Sequence, residues 1–377
     1  MLKVLKNANL YIDGKFLKKD ILFDKKIVEI GENLKGDAAI DLSGKYITPG
    51  FIDIHIHGRG GVDATKDCAA LSKILAKVGV TSFLPTTLTL SQEDTLKALN
   101  YLADYIENQE TGGAEALGIY SEGIFFSKLK CGAQNPDYIK EEIDFSLVEK
   151  MLEASRGYIK IMAFAPENKG SEELSDYLSK RGIRASMGHT NALEKDIKPC
   201  IEKGLSGVTH LYNGMRWMNH LELGAGGVGA FDNRLYAELI TDGYHVNKEF
   251  VNILFKFKPI DKILFISDNV HLSGLPEGKG EMGGVPVKIE KDKLIVDQES
   301  GYSLAGSCLK LTDSIKNVNK MTGISIEELL VCATKNPAEY VGVSDRKGSI
   351  EVGKDADLNI FDKEFNLLKT YVKGEGV

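Results

Sequence analysis

At 377 residues the chain is long for one average domain but right for a large α/β core with a small companion. Its composition, 43% hydrophobic and 27% charged, excludes a disordered chain, and a net charge of −7 with only 47 Lys and Arg excludes the basic footprint of a nucleic-acid binder. No apolar run approaches the roughly 20 residues that span a bilayer, and the start Met1-Leu-Lys-Val-Leu-Lys-Asn7 lacks a signal-peptide core, so a cytoplasmic protein with no membrane partner is expected.

Residues 1 to about 50 alternate short β-type runs with turns, such as Tyr11-Ile12 before Asp13-Gly14, and show no helical period. Residues 345–377 have the same texture, so both termini are expected to build one small β-sandwich domain. Between them, residues 51–344 alternate apolar strand runs with helical patterns, the signature of repeated βα units. Strands are predicted at 51–57, 80–85, 116–121, 158–165, 183–187, 207–210, 235–240 and 263–267. A helix is predicted over 91–108, where Ser91 and Asp94 make a capping-box-like start before Leu96, Leu99, Leu102, Ala103 and Ile106 at helical spacing. Others are predicted over 171–181 and 247–258; a hairpin-like segment at 285–296 then precedes two last helices, 309–321 and 325–335. Eight strands with helical crossovers predict an α/β fold in which 51–344 form a (β/α)8 TIM-type barrel.

The stretch Phe51-Ile-Asp-Ile-His-Ile-His57 carries the first chemical signal. Side chains alternate along a strand, so Ile52, Ile54 and Ile56 share one face while Asp53, His55 and His57 share the other, where two imidazoles can reach one cation. In a barrel of this type the active site lies at the C-terminal ends of the strands. Those ends carry His55, His57, Glu122, His189, His210, Asp242, His245 and Asp268. Seven histidines scattered at random would not put these five at predicted strand ends, so the clustering predicts a metal centre. The five cysteines are dispersed and form no C-x-x-C pair. Imidazole with carboxylate and no thiolate suits zinc, with iron, manganese and nickel as alternatives, and the candidate ligands suffice for one or two divalent ions. The chemistry implied is hydrolysis, with acidified water, a polarised carbonyl and a carboxylate that moves protons. Gly224-Ala-Gly-Gly-Val-Gly229 matches G-x-G-x-x-G by letter, but no strand ends just before it and a β-run follows, so a flexible loop is expected there in place of a dinucleotide site.

Pro49-Gly-Phe-Ile-Asp-Ile-His-Ile-His57, Gly188-His-Thr190, Thr209-His-Leu-Tyr-Asn-Gly-Met215, Thr241-Asp-Gly-Tyr-His245, Ile266-Ser-Asp268, Leu304-Ala-Gly-Ser307 and the tail Gly348-Ser-Ile-Glu-Val-Gly-Lys-Asp-Ala-Asp-Leu358 together resemble the N-acetylglucosamine-6-phosphate deacetylases of the amidohydrolase superfamily. The resemblance covers essentially the whole chain. It implies that Glu122, His189 and His210 bind the principal metal, that His55 and His57 bind a second ion, and that Asp268 is the general acid/base. It further implies substrate contacts from Gln134, Asn213, Gly214, His245 and Ser307, and a homodimer across whose interface the phosphate is reached.

Three stretches depart from the family's pattern. His-Leu-Glu-Gly-Pro becomes Tyr120-Ser-Glu-Gly-Ile124, Gly-Ala-His becomes Gly132-Ala-Gln134, and the Arg-Glu-Pro-Gly that supplies a phosphate-binding arginine becomes Leu221-Glu-Leu-Gly224. Arg216 and His220, with Lys128 and Lys130, are the cations near enough in sequence to compensate. The expected activity is deacetylation of N-acetylglucosamine 6-phosphate. The alternatives are deacylation of another N-acyl amino sugar, such as N-acetylgalactosamine 6-phosphate, and a non-catalytic sugar-phosphate-binding barrel.

Overall fold

The computed structural model describes residues 1–298 and 301–377. Strands from both termini join in one mixed sheet of eight: Lys3–Ile12, Lys15–Phe23, Ile27–Gly31, Ala38–Asp41 and Tyr46–Pro49 from one end, and Leu358–Phe361, Leu367–Val372 and Glu375–Gly376 from the other. The ends meet where Tyr46–Pro49 runs antiparallel to Leu358–Phe361. The sheet branches at its first strand, which pairs with Ala38–Asp41 along one half and with Tyr46–Pro49 along the other. Asp13 and Gly14 both take positive φ, 48° and 80°, as the two-residue hairpin turn between the first two strands requires. Leu5, Leu10, Phe23, Ile47, Leu358 and Ile360 form a separate apolar core under this sheet.

The middle of the chain holds two parallel sheets. One contains Phe51–Ile56, Val80–Pro85 and Glu115–Ala116; the other contains Ile119–Ser121, Ile159–Phe164, Arg184–Met187, Leu205–Val208, Tyr236–Ile240 and Ile263–Ile266. The expected third strand is thus divided, its first part pairing with Val80–Pro85 and its second with Ile159–Phe164. Hydrogen bonds link the sheets at both edges, from Thr87 N–H to Tyr120 O at 3.0 Å and from Asp268 N–H to His55 O at 2.9 Å. Phe51–Ile56 is buried on both faces, as a strand covered on both sides must be.

The helices follow the apolar spacing. Gln92–Asn108 starts at Ser91, whose hydroxyl accepts from Asp94 N–H, and buries Leu99, Leu102 and Ala103. Ser171–Ser179 and Lys248–Phe257 occupy their expected places, and Asn247 caps the latter.

Two expectations are corrected and a third, the hairpin, is borne out and extended. Gly224–Phe231 is a buried helix and not a flexible loop; a Cβ at Gly229 would lie 2.7 Å from the Leu211 side chain, so close packing overrides glycine's poor helix propensity. The hairpin at 285–296 is the centre of a four-stranded antiparallel sheet, Gly278–Met282, Val285–Glu290, Lys293–Gln298 and Gly301–Ser307. The helix expected over 325–335 is a short helix, Ile326–Leu329, a tighter turn and a new helix, Lys335–Tyr340. Pro337 has no N–H to return to Ala333, so a continuous helix cannot pass through Thr334.

Candidate metal centre and active site

The strand ends surround a cavity of about 250 Å³ lined by His57, Glu122, Gln134, His189, His210, Asn213, Gly214, His245 and Asp268. His55 is fully buried behind it. The four-stranded insertion closes one side with Met282, Ser303, Leu304 and Gly306; Leu304 and Gly306 lie in the stretch Leu304-Ala-Gly-Ser307 that carries the resemblance, whereas nothing in the sequence marks Met282 or Ser303. Arg216, His220 and Ser307 are not in the lining. Arg216 pairs with Glu222 at 2.8 Å, and His220 borders a separate surface depression with Leu193 and Leu221. The Ser307 hydroxyl donates to Ser267 O and accepts from the Asn269 side-chain amide and from Leu309 N–H, so it braces the loop after the last parallel strand.

Three of the key residues stand on left-handed backbone: His189 at φ 42°, His210 at 33° and Asp268 at 49°. Each such non-glycine residue costs about 1–3 kcal/mol and persists only where its surroundings hold it. Here Ser127 N–H binds His189 O at 2.9 Å, His210 N–H binds Glu238 Oε2 at 3.1 Å and Asp268 N–H binds His55 O. The turn sends each side chain off the end of its strand into the cavity. Gly214 also serves close approach, since a Cβ there would lie 2.8 Å from His189 Nδ1.

The imidazoles are oriented from behind. His55 Nδ1 lies 2.8 Å from Glu238 Oε2, His57 Nδ1 3.2 Å from Thr86 O, and His189 Nδ1 2.9 Å from Lys130 O. These acceptors place the proton on Nδ1 and leave Nε2 lone pairs converging on the Glu122 carboxylate. Two donor groups result, His55, His57 and Glu122, and Glu122, His189 and His210, with Glu122 in both. Glu122 Oε1 is 3.0 Å from His210 Nε2 and 3.4 Å from His189 Nε2, and its Oε2 is 3.3 Å from His57 Nε2.

Burial disfavours the charged form of every group here, yet Glu238 and Glu122 raise His55 well above its ordinary value, and Asp268 and Glu122 raise His57 to about 9. Burial likewise opposes ionisation of Glu122 and Asp268, but the surrounding imidazoles hold both below the usual carboxylate range. The site therefore demands positive charge at its centre. Protonating both rings of either pair would set N–H against N–H, because His189 and His210 Nε2 are 3.1 Å apart and His55 and His57 Nε2 are 3.3 Å apart. Two nitrogens bound to one tetrahedral cation at about 2.0–2.1 Å lie about 3.3 Å from each other. The donor set fits a divalent metal.

Sequence reasoning missed Glu238 and Thr86, and it named Lys130 as a spare cation and not for the carbonyl that orients His189. Only Glu238 left a trace, as a lone charge in the apolar run Leu235-Tyr-Ala-Glu-Leu-Ile240. Gln134 is placed differently from a simple substrate contact, because its Nε2 donates to Glu122 Oε2 at 2.8 Å while its Oε1 accepts from Thr89 N–H.

Imidazoles and carboxylates gathered at the ends of parallel strands, with one carboxylate common to two donor groups, define the class of metal-assisted hydrolases. The chain belongs to the amidohydrolase family, whose profile matches residues 46–377, and within it to the N-acetylglucosamine-6-phosphate deacetylases. It is 35% identical to the N-acetylglucosamine-6-phosphate deacetylase of Bacillus subtilis (strain 168), over 87% of this chain and 83% of that one. It is 30% identical to the N-acetylgalactosamine-6-phosphate deacetylase of Escherichia coli O157:H7, over 88% of this chain and 87% of that one. Among solved structures, N-acetylglucosamine-6-phosphate deacetylase from Pasteurella multocida superposes with a TM-score of 0.91 at 30% identity, with all of both chains covered.

Proposed function

We propose that this amide-cleaving hydrolase converts N-acetylglucosamine 6-phosphate to glucosamine 6-phosphate and acetate. The observation that carries the reading is the convergence of Asp268 with both His/Glu donor groups in one cavity. A non-catalytic sugar-binding barrel would need no such set. Glu122, His189 and His210 would hold the principal divalent ion, and His55 and His57 with Glu122 a second; zinc suits the donors, with iron, manganese and nickel as alternatives.

When bound, the ion acidifies water and polarises the acyl carbonyl. Asp268, ionised and 3.4 Å from His57 Nε2, takes a proton as water attacks the carbonyl carbon. It returns that proton to the amine nitrogen as the C–N bond breaks, so acetate and the free amine leave. His245 gives its Nδ1–H to Asp242 at 2.7 Å, which turns Nε2 into an acceptor for a sugar hydroxyl. Asn213 and Gly214 line the same wall and would hold the sugar.

The two parallel sheets read as one (β/α)8 barrel over 51–344, a reading supported by the hydrogen bonds at both shared edges. Residues 1–50 with 345–377 read as a β-sandwich domain, supported by their separate core. Among the described residues no helix is long and apolar enough to cross a membrane; the cytoplasm is the proposed compartment and a homodimer the proposed assembly.

One observation favours a second substrate. Among the described residues the cavity lining contains no lysine or arginine, and Leu221, where the family carries its phosphate-binding arginine, is 81% exposed. N-acetylgalactosamine 6-phosphate or an unphosphorylated N-acyl amino sugar is the alternative. Acetate release from N-acetylhexosamines and their 6-phosphates decides: the proposal expects the highest kcat/KM on N-acetylglucosamine 6-phosphate, and faster turnover of another sugar would replace it.

A further inference from the structure

Glu238 sits in the middle of the strand Tyr236–Ile240, only 2% exposed, as a full charge inside a parallel sheet. Its Oε2 engages both His55 Nδ1, at 2.8 Å, and the backbone N–H of His210, at 3.1 Å. Those two residues belong to different donor groups, which share Glu122. The second oxygen, Oε1, is buried without a partner. A buried carboxylate with one oxygen unsatisfied is costly to the fold, so its position calls for a reason other than stability.

We propose that Glu238 is the positioning residue of the second ion site. It fixes the proton of His55 on Nδ1, aims Nε2 at His57 and Glu122, and places a negative charge behind the ring that strengthens it as a ligand. The inference rests on the reading that His55, His57 and Glu122 hold an ion. Because Oε2 also braces the left-handed backbone of His210, a purely structural role would weaken both ion sites together. A positioning role weakens one.

Zn²⁺ titration of the full chain, with bound metal counted by elemental analysis, separates the two. The wild type is expected to take up two Zn²⁺. Glu238→Gln keeps the shape and loses the charge; it should bind the first ion within about twofold of wild type and the second roughly ten- to a hundred-fold more weakly. In a His55→Asn background, Glu238→Gln should change nothing further. Unchanged affinity for both ions, or equal weakening of both, overturns the inference. A wild type that takes up a single Zn²⁺ removes the second site itself, and the inference with it. Should Glu238→Gln fail to fold, Glu238→Asp keeps the charge but withdraws it by one methylene; the same selective weakening is expected, and wild-type affinity at both sites refutes the proposal.

Discussion

Replacing Glu115 by Gln tests how the terminal sheet is fastened to the parallel strands. Glu115 stands in a two-residue strand beside Val80–Pro85. Its carboxylate, 13% exposed, takes a two-pronged pair from Arg346 at 2.8 and 2.9 Å and further contacts from Lys347 at 2.8 Å and Lys373 at 3.1 Å. Burial alone would raise its pKa, but Arg346 and Lys347 outweigh burial and hold it at about 2 against an ordinary 4.5. That gap of about 2.5 units corresponds to about 3 kcal/mol. The depressed value gives the sign: the stabilisation is complete above pH 4.5, declines as the pH falls, and is gone below about 2. Glu115→Gln should therefore lower the unfolding free energy by about 3 kcal/mol at pH 7, and by only about 1 kcal/mol near pH 3. Urea unfolding, which adds no salt to screen the pair, measures both. Equal losses at the two pH values would refute the charge argument. A loss under about 0.5 kcal/mol at pH 7 would show that the cluster gains nothing over hydrated charges.

The site makes further predictions. Asp268→Asn should lower kcat by about 10²- to 10⁴-fold with bound metal unchanged; loss of metal on elemental analysis would make Asp268 a ligand and not the proton carrier. Glu122→Gln should empty both ion sites, since both use this carboxylate, and retention of two equivalents would disprove the sharing. The His55→Asn, His57→Asn pair should lose one ion, keep the other and retain some acetate release; loss of both would reverse the order of the sites. Arg216 lies outside the cavity and pairs with Glu222, so Arg216→Ala should change kcat/KM by less than about twofold on both the 6-phosphate and the unphosphorylated sugar; a loss of roughly ten- to a hundred-fold confined to the 6-phosphate, the worth of a charged contact, would place Arg216 at the phosphate.

The ligands were legible because strand ends are visible as the close of an apolar run, and the residues standing there are types that rarely occur by chance in such places. His189, His210, Glu122 and Asp268 could be placed without knowing any crossing angle. What orients them was not legible: two of the three acceptors behind the rings are main-chain carbonyls, of Thr86 and Lys130, and a carbonyl has no letter in a sequence. The left-handed turns at the strand ends are equally silent, since His and Asp, although over-represented at positive φ, do not adopt it in most of their occurrences. Gly224–Gly229 reads as a loop in the sequence because glycine's local preference and its packing use point opposite ways, and the neighbouring Leu211 reveals which applies. Arg216 and His220 were close in sequence to the altered loop, but nearness along the chain does not carry a side chain into a cavity.

The terminal sheet also has a consequence for how the protein is made. Tyr46–Pro49 is synthesised early, yet its antiparallel partner, Leu358–Phe361, emerges about 300 residues later. Closing a flexible loop of that length costs on the order of 5 kcal/mol in chain entropy, a cost that falls sharply if the parallel strands have already folded and brought the two ends side by side. Until then Ile47 and the apolar face around Leu10 and Phe23 wait uncovered on the nascent chain. Premature termination before Leu358 would leave that strand edge open for good, on a polypeptide that already carries the candidate ligands His55, His57, Glu122, His189 and His210 together with Asp268. Such a fragment would fail by sticking to its neighbours through the unpaired edge, long before any question of chemistry arose.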